Sequence, residues 1–339
     1  MKIGFDISQT AFIGGVATYT KELAKALSLR KDLEIVFFYT SLRKPYKGEL
    51  ANVKSLPIPP SLFQPVMNNW RFINIEQFIG KVDVFHSSDW VQPASSAKKV
   101  TTYHDVIPLK YPQWSVPSII KVHKERLEKV EREIDYIIAV SESTKQDLLE
   151  LTHIPAEKIE VIYEGVSENF KPQSESTKDE FRKKYNLPKE FVLAISGVGE
   201  RRNLARVKDA VGDLPLVVSG ELMPRPSDSQ MPVLYSLAKV LLYPSLYEGF
   251  GLPVLESFAC GVPVITSNVS ALPEVGGDGA CYVDPLNVDE ITAKLKEVWA
   301  DVDLRKELIA KGFKQVQKFS WQKSADTTVA LYERLNDKQ

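Results

Sequence analysis

Hydrophobic residues in this chain fall either into short unbroken runs closed by polar, glycine-bearing turns, or into longer segments where they recur every three or four positions. KIGFDI (Lys2–Ile7), LEIVFFYT (Leu33–Thr40), DVFHSS (Asp83–Ser88), KKVTTYH ending at His104, and YIIAVS (Tyr136–Ser141) are of the first kind. Continuous β-branched and aromatic runs suit strands buried on both faces, as a parallel sheet requires. FIGGVATYTKELAKAL and Ser118–Glu133 carry the helical spacing, the second with Ile120, Val122, Leu127 and Val130 as its apolar side. Asn68–Ile79 predicts a further helix with Trp70, Phe72, Ile75 and Phe78 on one side, and Val53–Leu56 a short strand. The rhythm restarts at Phe191–Ser196, Leu214–Glu221, Val240–Ser245, Val262–Thr266 and Cys281–Val283. Helices are expected over Val288–Val298, Leu304–Phe319 and Trp321–Leu335. Strand, turn and helix repeated in two halves predict an α/β protein with two parallel-sheet domains.

The polar stretch KPQSESTKDEF (Lys171–Phe181) has little to bury, so the boundary between the halves is expected there. Residues 1–171 then form one domain, 172–319 the second, and 320–339 a terminal helix. Sheets of this kind bind ligands beyond the carboxyl ends of their strands, and a cleft between two domains is the expected place for a small one.

With 339 residues, 44% of them hydrophobic, the chain can bury two ordinary cores, and a net charge of -1 predicts no nucleic-acid partner. Cys260 and Cys281 stand in apolar context and read as buried thiols rather than a disulfide or zinc site. MKIGFDISQT enters a strand directly, without a signal-peptide pattern, and no run approaches the roughly 20 apolar residues of a membrane span. A cytoplasmic protein is expected.

Chemistry concentrates in YPSLYEGFGLPVLESFACGVPVITSNVSALPE (Tyr243–Glu274). Pro244 ends a buried strand, Gly249 and Gly251 flank Phe250 in a turn, and Leu252 and Pro253 open a helix that Gly261 closes. Free amides at such a helix start favour an anion. Glu248 and Glu256 lie in this otherwise apolar segment and would flank the ligand. Arg201, Arg202 and Asn203 stand at another strand-to-helix junction, where two guanidiniums suit a diphosphate. Gly14 and Gly15 mark a third such junction, and His104, followed by Asp105, ends a strand.

EGFGLPVLE (Glu248–Glu256) resembles the paired-glutamate signature of the retaining glycosyltransferases that include bacterial mannosyl- and glucosyltransferases, sucrose synthases and glycogen synthases. ACGVPVITS, ALPE, GGVATYT, YHDVIPLKYP, AVSESTK, the RRN turn and FSWQKSAD are similar to further segments of that group, over nearly the whole chain. The resemblance implies the GT-B fold, two facing Rossmann-like domains with a cleft between them and a terminal helix crossing back to the first. It implies that Glu248 and His104 lie against the donor sugar, that Glu256 holds the ribose, and that Arg201 and Arg202 neutralise the departing diphosphate. Gly14 and Gly15 would make room for phosphate and acceptor, while Gly249, Phe250, Gly251 and Leu252 would bring the helix start to the diphosphate beside Asn203.

The implied activity is transfer of a hexose with retained configuration to a growing surface polysaccharide or lipid-linked saccharide. Mannose from GDP-mannose is the expected donor, with no metal and no bound cofactor. A lipid-linked acceptor would bring the chain to the inner face of a membrane, and Ser118–Glu133 and Phe63–Phe78 are the candidate contacts. Two departures stand out: only Glu221–Val233 fills a stretch that is longer in relatives and contributes to their base pocket, and Ser196 replaces a usual glycine. The alternatives are a UDP-glucose donor, or a nucleotide-sugar-binding protein whose catalysis went with the shortened segment.

Overall fold

The amino-terminal runs pair in the computed structural model as a seven-stranded parallel sheet of order β3-β2-β1-β4-β5-β6-β7. Its strands are β1 Lys2–Asp6, β2 Glu34–Thr40, β3 Val53–Leu56, β4 Val84–Ser87, β5 Lys98–Tyr103, β6 Tyr136–Ala139 and β7 Ile159–Val161. The structure describes residues 1–337 other than 71, 198 and 222, and only the backbone of residues 60, 61, 64 and 69. Ile3 pairs with Ile35 on one side and Val84 on the other, so β1 is central, as its apolar run requires. Ile3, Val84, Val100 and Ile138 pack beneath Leu331, Tyr332 and Leu335 of the terminal helix Trp321–Asn336. Elsewhere Tyr103 and Ile137 pack with Leu127 and Val130 of the helix Pro117–Glu133. Residues 1–164 and the terminal helix make one unit; residues 165–320 make the other.

The second unit holds β8 Val192–Ile195, β9 Leu216–Ser219, β10 Val240–Tyr243, β11 Val264–Ser267 and β12 Ala280–Val283, in the order β12-β11-β10-β8-β9. Val192, Ala194, Val218, Val240, Leu242 and Ile265 pack against Val207 and Val211 of the helix Leu204–Val211, and against Ile291, Leu295 and Val298 of the helix Val288–Ala300. Each such valine, leucine or isoleucine contributes about 1.5–3 kcal/mol by leaving water. The two sheets differ at one edge. In the first, β3 lies outside β2; in the second, no strand lies outside β9 among the described residues. The short Glu221–Val233 segment is the cause: from β9 the chain turns at once, with Met223 bridging back to Ser219, and enters the helix Met231–Leu237. Within that segment Leu222 lies outside the described residues.

Two expectations are corrected. Asn68–Ile79 is not one helix but the end of Pro60–Asn69 and then Glu76–Ile79. Between them Asn74 bridges Ala94, and the Ile75 N–H donates to the Ala94 carbonyl at 2.9 Å, which takes the backbone out of helical bonding. Trp70 and Phe72 are exposed and stacked, their rings 5.8 Å apart, while Ile75 is buried. The polar stretch Lys171–Phe181 does not hold the boundary either: most of it is the helix Glu175–Tyr185, capped by Ser174 and burying Phe181 alone. The units divide between Glu164 and Gly165, not at 171/172.

Candidate functional site

In the second unit the strand order reverses between β8 and β10, the point where a doubly wound sheet opens a crevice. The turn after β8 runs through Gly199 and Glu200–Arg202 to Asn203; the turn after β10 runs from Pro244 to Gly251. Asn203 joins them. Its Nδ2 donates to the carbonyls of Pro244 (2.9 Å) and Pro285 (2.6 Å), and its Oδ1 accepts from Arg206 Nη1 at 2.9 Å. The Leu246 N–H donates to the Arg201 carbonyl at 2.8 Å. Both arginines are thereby held against Glu248.

Glu248 is 5% exposed and surrounded by donors. Its Oε2 accepts from Arg201 Nη1 at 2.6 Å; its Oε1 lies 2.7 Å from Arg202 Nη1 and accepts from the Tyr243 hydroxyl at 2.9 Å. The Glu248 N–H donates to Ser270 Oγ at 2.9 Å, fixing the backbone beneath the carboxylate. Arg202 also covers the Tyr243 ring, 4.8 Å from its centre. Burial pulls the Arg202 guanidinium down to about 10, opposed by Glu248 and assisted by Arg201, so it remains a cation at neutral pH. Its buried Nε finds no hydrogen-bond partner among the described residues, leaving a donor for an anion's oxygen. A side chain at Gly197 would meet that Nε at 2.8 Å. Ser196 gives its hydroxyl to the Ser219 carbonyl at 2.7 Å.

Gly251 starts the helix Leu252–Ala259 with φ 116°, and a Cβ there would lie 2.9 Å from Leu272 Cδ2, so only glycine fits. No side chain caps this helix. Pro253 has no N–H and the Val254 N–H turns back to the Gly251 carbonyl at 3.0 Å, and the half-positive dipole end adds to the arginine charge. Phe250 is buried and packs edge-on against Phe319, which makes it a prop for the turn. Glu256, further along the helix, accepts from the Tyr235 hydroxyl at 2.7 Å. Burial pushes its carboxyl up to about 7 against that hydrogen bond.

The remaining predicted residues lie in the first unit. Gly14, with φ 129°, precedes the uncapped helix Gly15–Ser28, and a Cβ on it would meet nothing within 4 Å. The glycine there answers to backbone geometry. His104 is 9% exposed just past β5, its Nδ1 3.1 Å from Glu164 Oε1 and its ring edge-on to Tyr19 at 4.5 Å. Burial lowers the imidazole's pKa, but the Glu164 hydrogen bond and charge outweigh it, and the net shift is upward. Beneath it Tyr19 bonds Thr102 at 2.9 Å, Thr102 bonds His86 Nε2 at 2.8 Å, and His86 Nδ1 meets the Tyr332 hydroxyl at 2.6 Å. Burial holds His86 down at about 3, so it is neutral. Sequence reasoning passed over Glu164, although Glu164-Gly165 after a strand repeats the Glu248-Gly249 arrangement. It also passed over Asp6, a buried carboxylate that accepts from the Ser8 N–H at 2.8 Å and lines a pocket with Gln9, Thr40, Ser88 and Trp90.

Among the described residues no group of three or more His, Cys, Asp or Glu is placed to hold a metal ion, and no helix is long and apolar enough to cross a membrane. Cys260 and Cys281 are free thiols, the first buried.

Residues 13–170 match the family described as Glycosyltransferase Family 4, and residues 177–315 match Glycosyl transferases group 1. The chain is similar to O-antigen chain mannosyltransferase B of Escherichia coli, 26% identical over 99% of this chain and 100% of that protein. That alignment spans 386 residues against 339 here, so the relative carries residues this chain lacks. It is also similar to the serotype-specific mannosyltransferase WbdA of Escherichia coli, 30% identical over 70% of this chain and 34% of that longer protein. The solved sucrose-phosphate synthase of Thermosynechococcus elongatus has the same fold, with a TM-score of 0.80, 19% identity and full coverage of both chains.

Proposed function

The chain belongs to the glycosyltransferases of the GT-B fold, and from that membership we propose that it moves mannose from GDP-mannose, with retained configuration, to a surface polysaccharide or lipid-linked saccharide. The observation that carries the reading is the cluster of Arg201, Arg202 and Glu248 beside an uncapped helix start. The mannosyltransferase names of the relatives support the sugar.

When the glycosidic bond breaks, negative charge collects on the departing diphosphate. Arg202 Nε, the charge of Arg201 and the positive end of the Leu252–Ala259 helix meet that charge, and they stabilise it more as it grows. Drawing the guanidiniums to phosphate frees Glu248 to face the sugar, whose anomeric carbon becomes cation-like. The acceptor hydroxyl attacks from the side the diphosphate leaves, and its proton passes to a phosphate oxygen, so no separate base is required. Glu256 accepts hydrogen bonds from the ribose. In the first unit His104, kept basic by Glu164, is the residue that meets the sugar. A lipid-linked acceptor would bring the exposed Trp70 and Phe72 and the helix Pro117–Glu133 to a membrane face.

One observation favours a second reading, a nucleotide-sugar-binding protein without turnover: among the described residues no strand lies beyond β9 in the sheet. The test offers GDP-mannose, UDP-glucose and ADP-glucose singly with saccharide acceptors, follows nucleoside diphosphate release and reads the product's anomeric configuration by NMR. Release from GDP-mannose with an α-linked product is expected. Turnover of UDP-glucose alone would overturn the donor, an inverted product the mechanism, and binding without release would leave the second reading.

A further inference from the structure

We propose that Tyr19, on the helix Gly15–Ser28, is a positioning residue that holds the His104 ring in the orientation that meets the sugar, and that its hydroxyl tether to Thr102 is what keeps it there. The inference rests on His104 meeting the donor sugar. With Nδ1 committed to Glu164 at 3.1 Å, Nε2 is the ring atom left to meet a sugar hydroxyl. One hydrogen bond at Nδ1 leaves the imidazole able to swing about it. The Tyr19 ring closes that freedom: it stands across the imidazole at 83°, with the ring centres 4.5 Å apart. Thr102 and His104 are two positions apart along β5 and its extension, so both project to one face. Tyr19 spans them, its hydroxyl on the first and its ring beside the second.

The terminal helix grips Tyr19 from two directions. Trp321 packs against its ring, the centres 5.8 Å apart, and Tyr332 reaches it through His86 and Thr102. Tyr19, Thr102, His86 and Tyr332 are each at most 3% exposed, so their polar atoms pair with one another rather than with bulk water. Burial raises both phenols, so each keeps its proton and donates it inward. Tyr332 then gives to His86 Nδ1 and Tyr19 to Thr102 Oγ1. That leaves the single proton of the neutral His86 on Nε2, donated to the second lone pair of Thr102 Oγ1. Apolar residues of the same shape would fill this space at little cost in stability. A chain in which both phenols and both ring nitrogens are matched instead fixes one arrangement, and what it fixes is the wall beside His104.

The experiment measures kcat for sugar transfer by the full chain, with GDP-mannose, UDP-glucose and ADP-glucose offered singly. The variants are Tyr19→Leu, Tyr19→Phe and His104→Ala, with each Tyr19 variant also made in the His104→Ala background; calorimetric binding of inorganic pyrophosphate is the control. Tyr19→Leu is expected to lose about ten- to a hundredfold, the cost of misplacing a substrate contact by up to about 1 Å. Tyr19→Phe keeps the ring and cuts the tether, so its rate falls between that of Tyr19→Leu and the parent. Without His104 neither change at Tyr19 costs anything further, whereas a merely structural Tyr19 would lower the rate in both backgrounds. Pyrophosphate binding holds in every variant. A loss that persists at full size in His104→Ala, or a Tyr19→Phe variant at the parent's rate, overturns the positioning and leaves His104 as the sugar contact. A His104→Ala variant at the parent's rate, or a parent that turns over none of the three donors, overturns the reading of the site and the positioning with it.

Discussion

Replacing Glu248 with Gln removes one negative charge from between two guanidiniums and changes almost nothing in volume. The amide oxygen can still accept from Tyr243 or one arginine, but its NH2 then faces the other. Arg202, with 13% of its side chain exposed, would be left with a like charge as its nearest ionic neighbour. Removing one partner of a buried pair costs about 3–5 kcal/mol. Arg201 is 22% exposed and regains some hydration, which brings the expected loss to roughly 2–3 kcal/mol. For a unit of this size that is a fall of roughly 5–10 °C in the melting temperature of the second unit. Diphosphate restores what the carboxylate supplied, so saturating pyrophosphate should raise the melting temperature of Glu248→Gln more than that of the parent. Differential scanning calorimetry with and without pyrophosphate reads both. A variant that melts with the parent, or that gains no more from pyrophosphate, would show that Glu248 does not balance the arginines.

Two further outcomes concern protonation. Glu256 has a folded pKa near 7 against roughly 4.3 in an unfolded chain, so the fold holds its proton more tightly. Stability from this group is full below the unfolded value, falls as pH rises from about 4.5 to 7, and stays reduced above that. Glu256→Gln escapes the decline, gaining on the parent by up to about 3 kcal/mol between pH 4.5 and 8 in urea unfolding; a constant difference would refute the burial argument. His104 has a raised folded pKa, so its contribution is complete below the unfolded value near 6.5 and disappears as pH rises through the folded one. In Glu164→Gln burial is opposed only by the charges of Asp89 and Asp105, and the His104 ring resonances should titrate at lower pH by NMR; an unmoved midpoint would exclude Glu164 as the cause.

The sequence made the strands legible because a parallel sheet buries both faces, and the unbroken apolar runs say so directly. The junctions were legible for a similar reason: Gly14 and Gly251 have backbone angles that other residues avoid. What was hidden depended on pairing between distant segments. Arg201 and Glu248 meet across 47 positions only because β10 lies beside β8, which no local pattern states. Asn203 was grouped with the donor contacts, yet its amide is committed to the Pro244 and Pro285 carbonyls, a use visible only once both turns are in place. Asn68–Ile79 misled because its apolar residues serve different surroundings, Ile75 the core and Trp70 and Phe72 the surface. The shortened segment before the Met231–Leu237 helix was visible as a length, but its meaning, a sheet with no strand beyond β9 among the described residues, was not.

The central claim is that the charge of Arg202 stabilises the departing diphosphate, and the initial rate of sugar transfer by Arg202→Ala and Arg202→Lys under saturating donor tests it most directly. Loss of about 10²–10³ in kcat for the alanine variant, with most of it recovered by lysine, is the predicted result. An alanine variant that turns over at the parent's rate would contradict it.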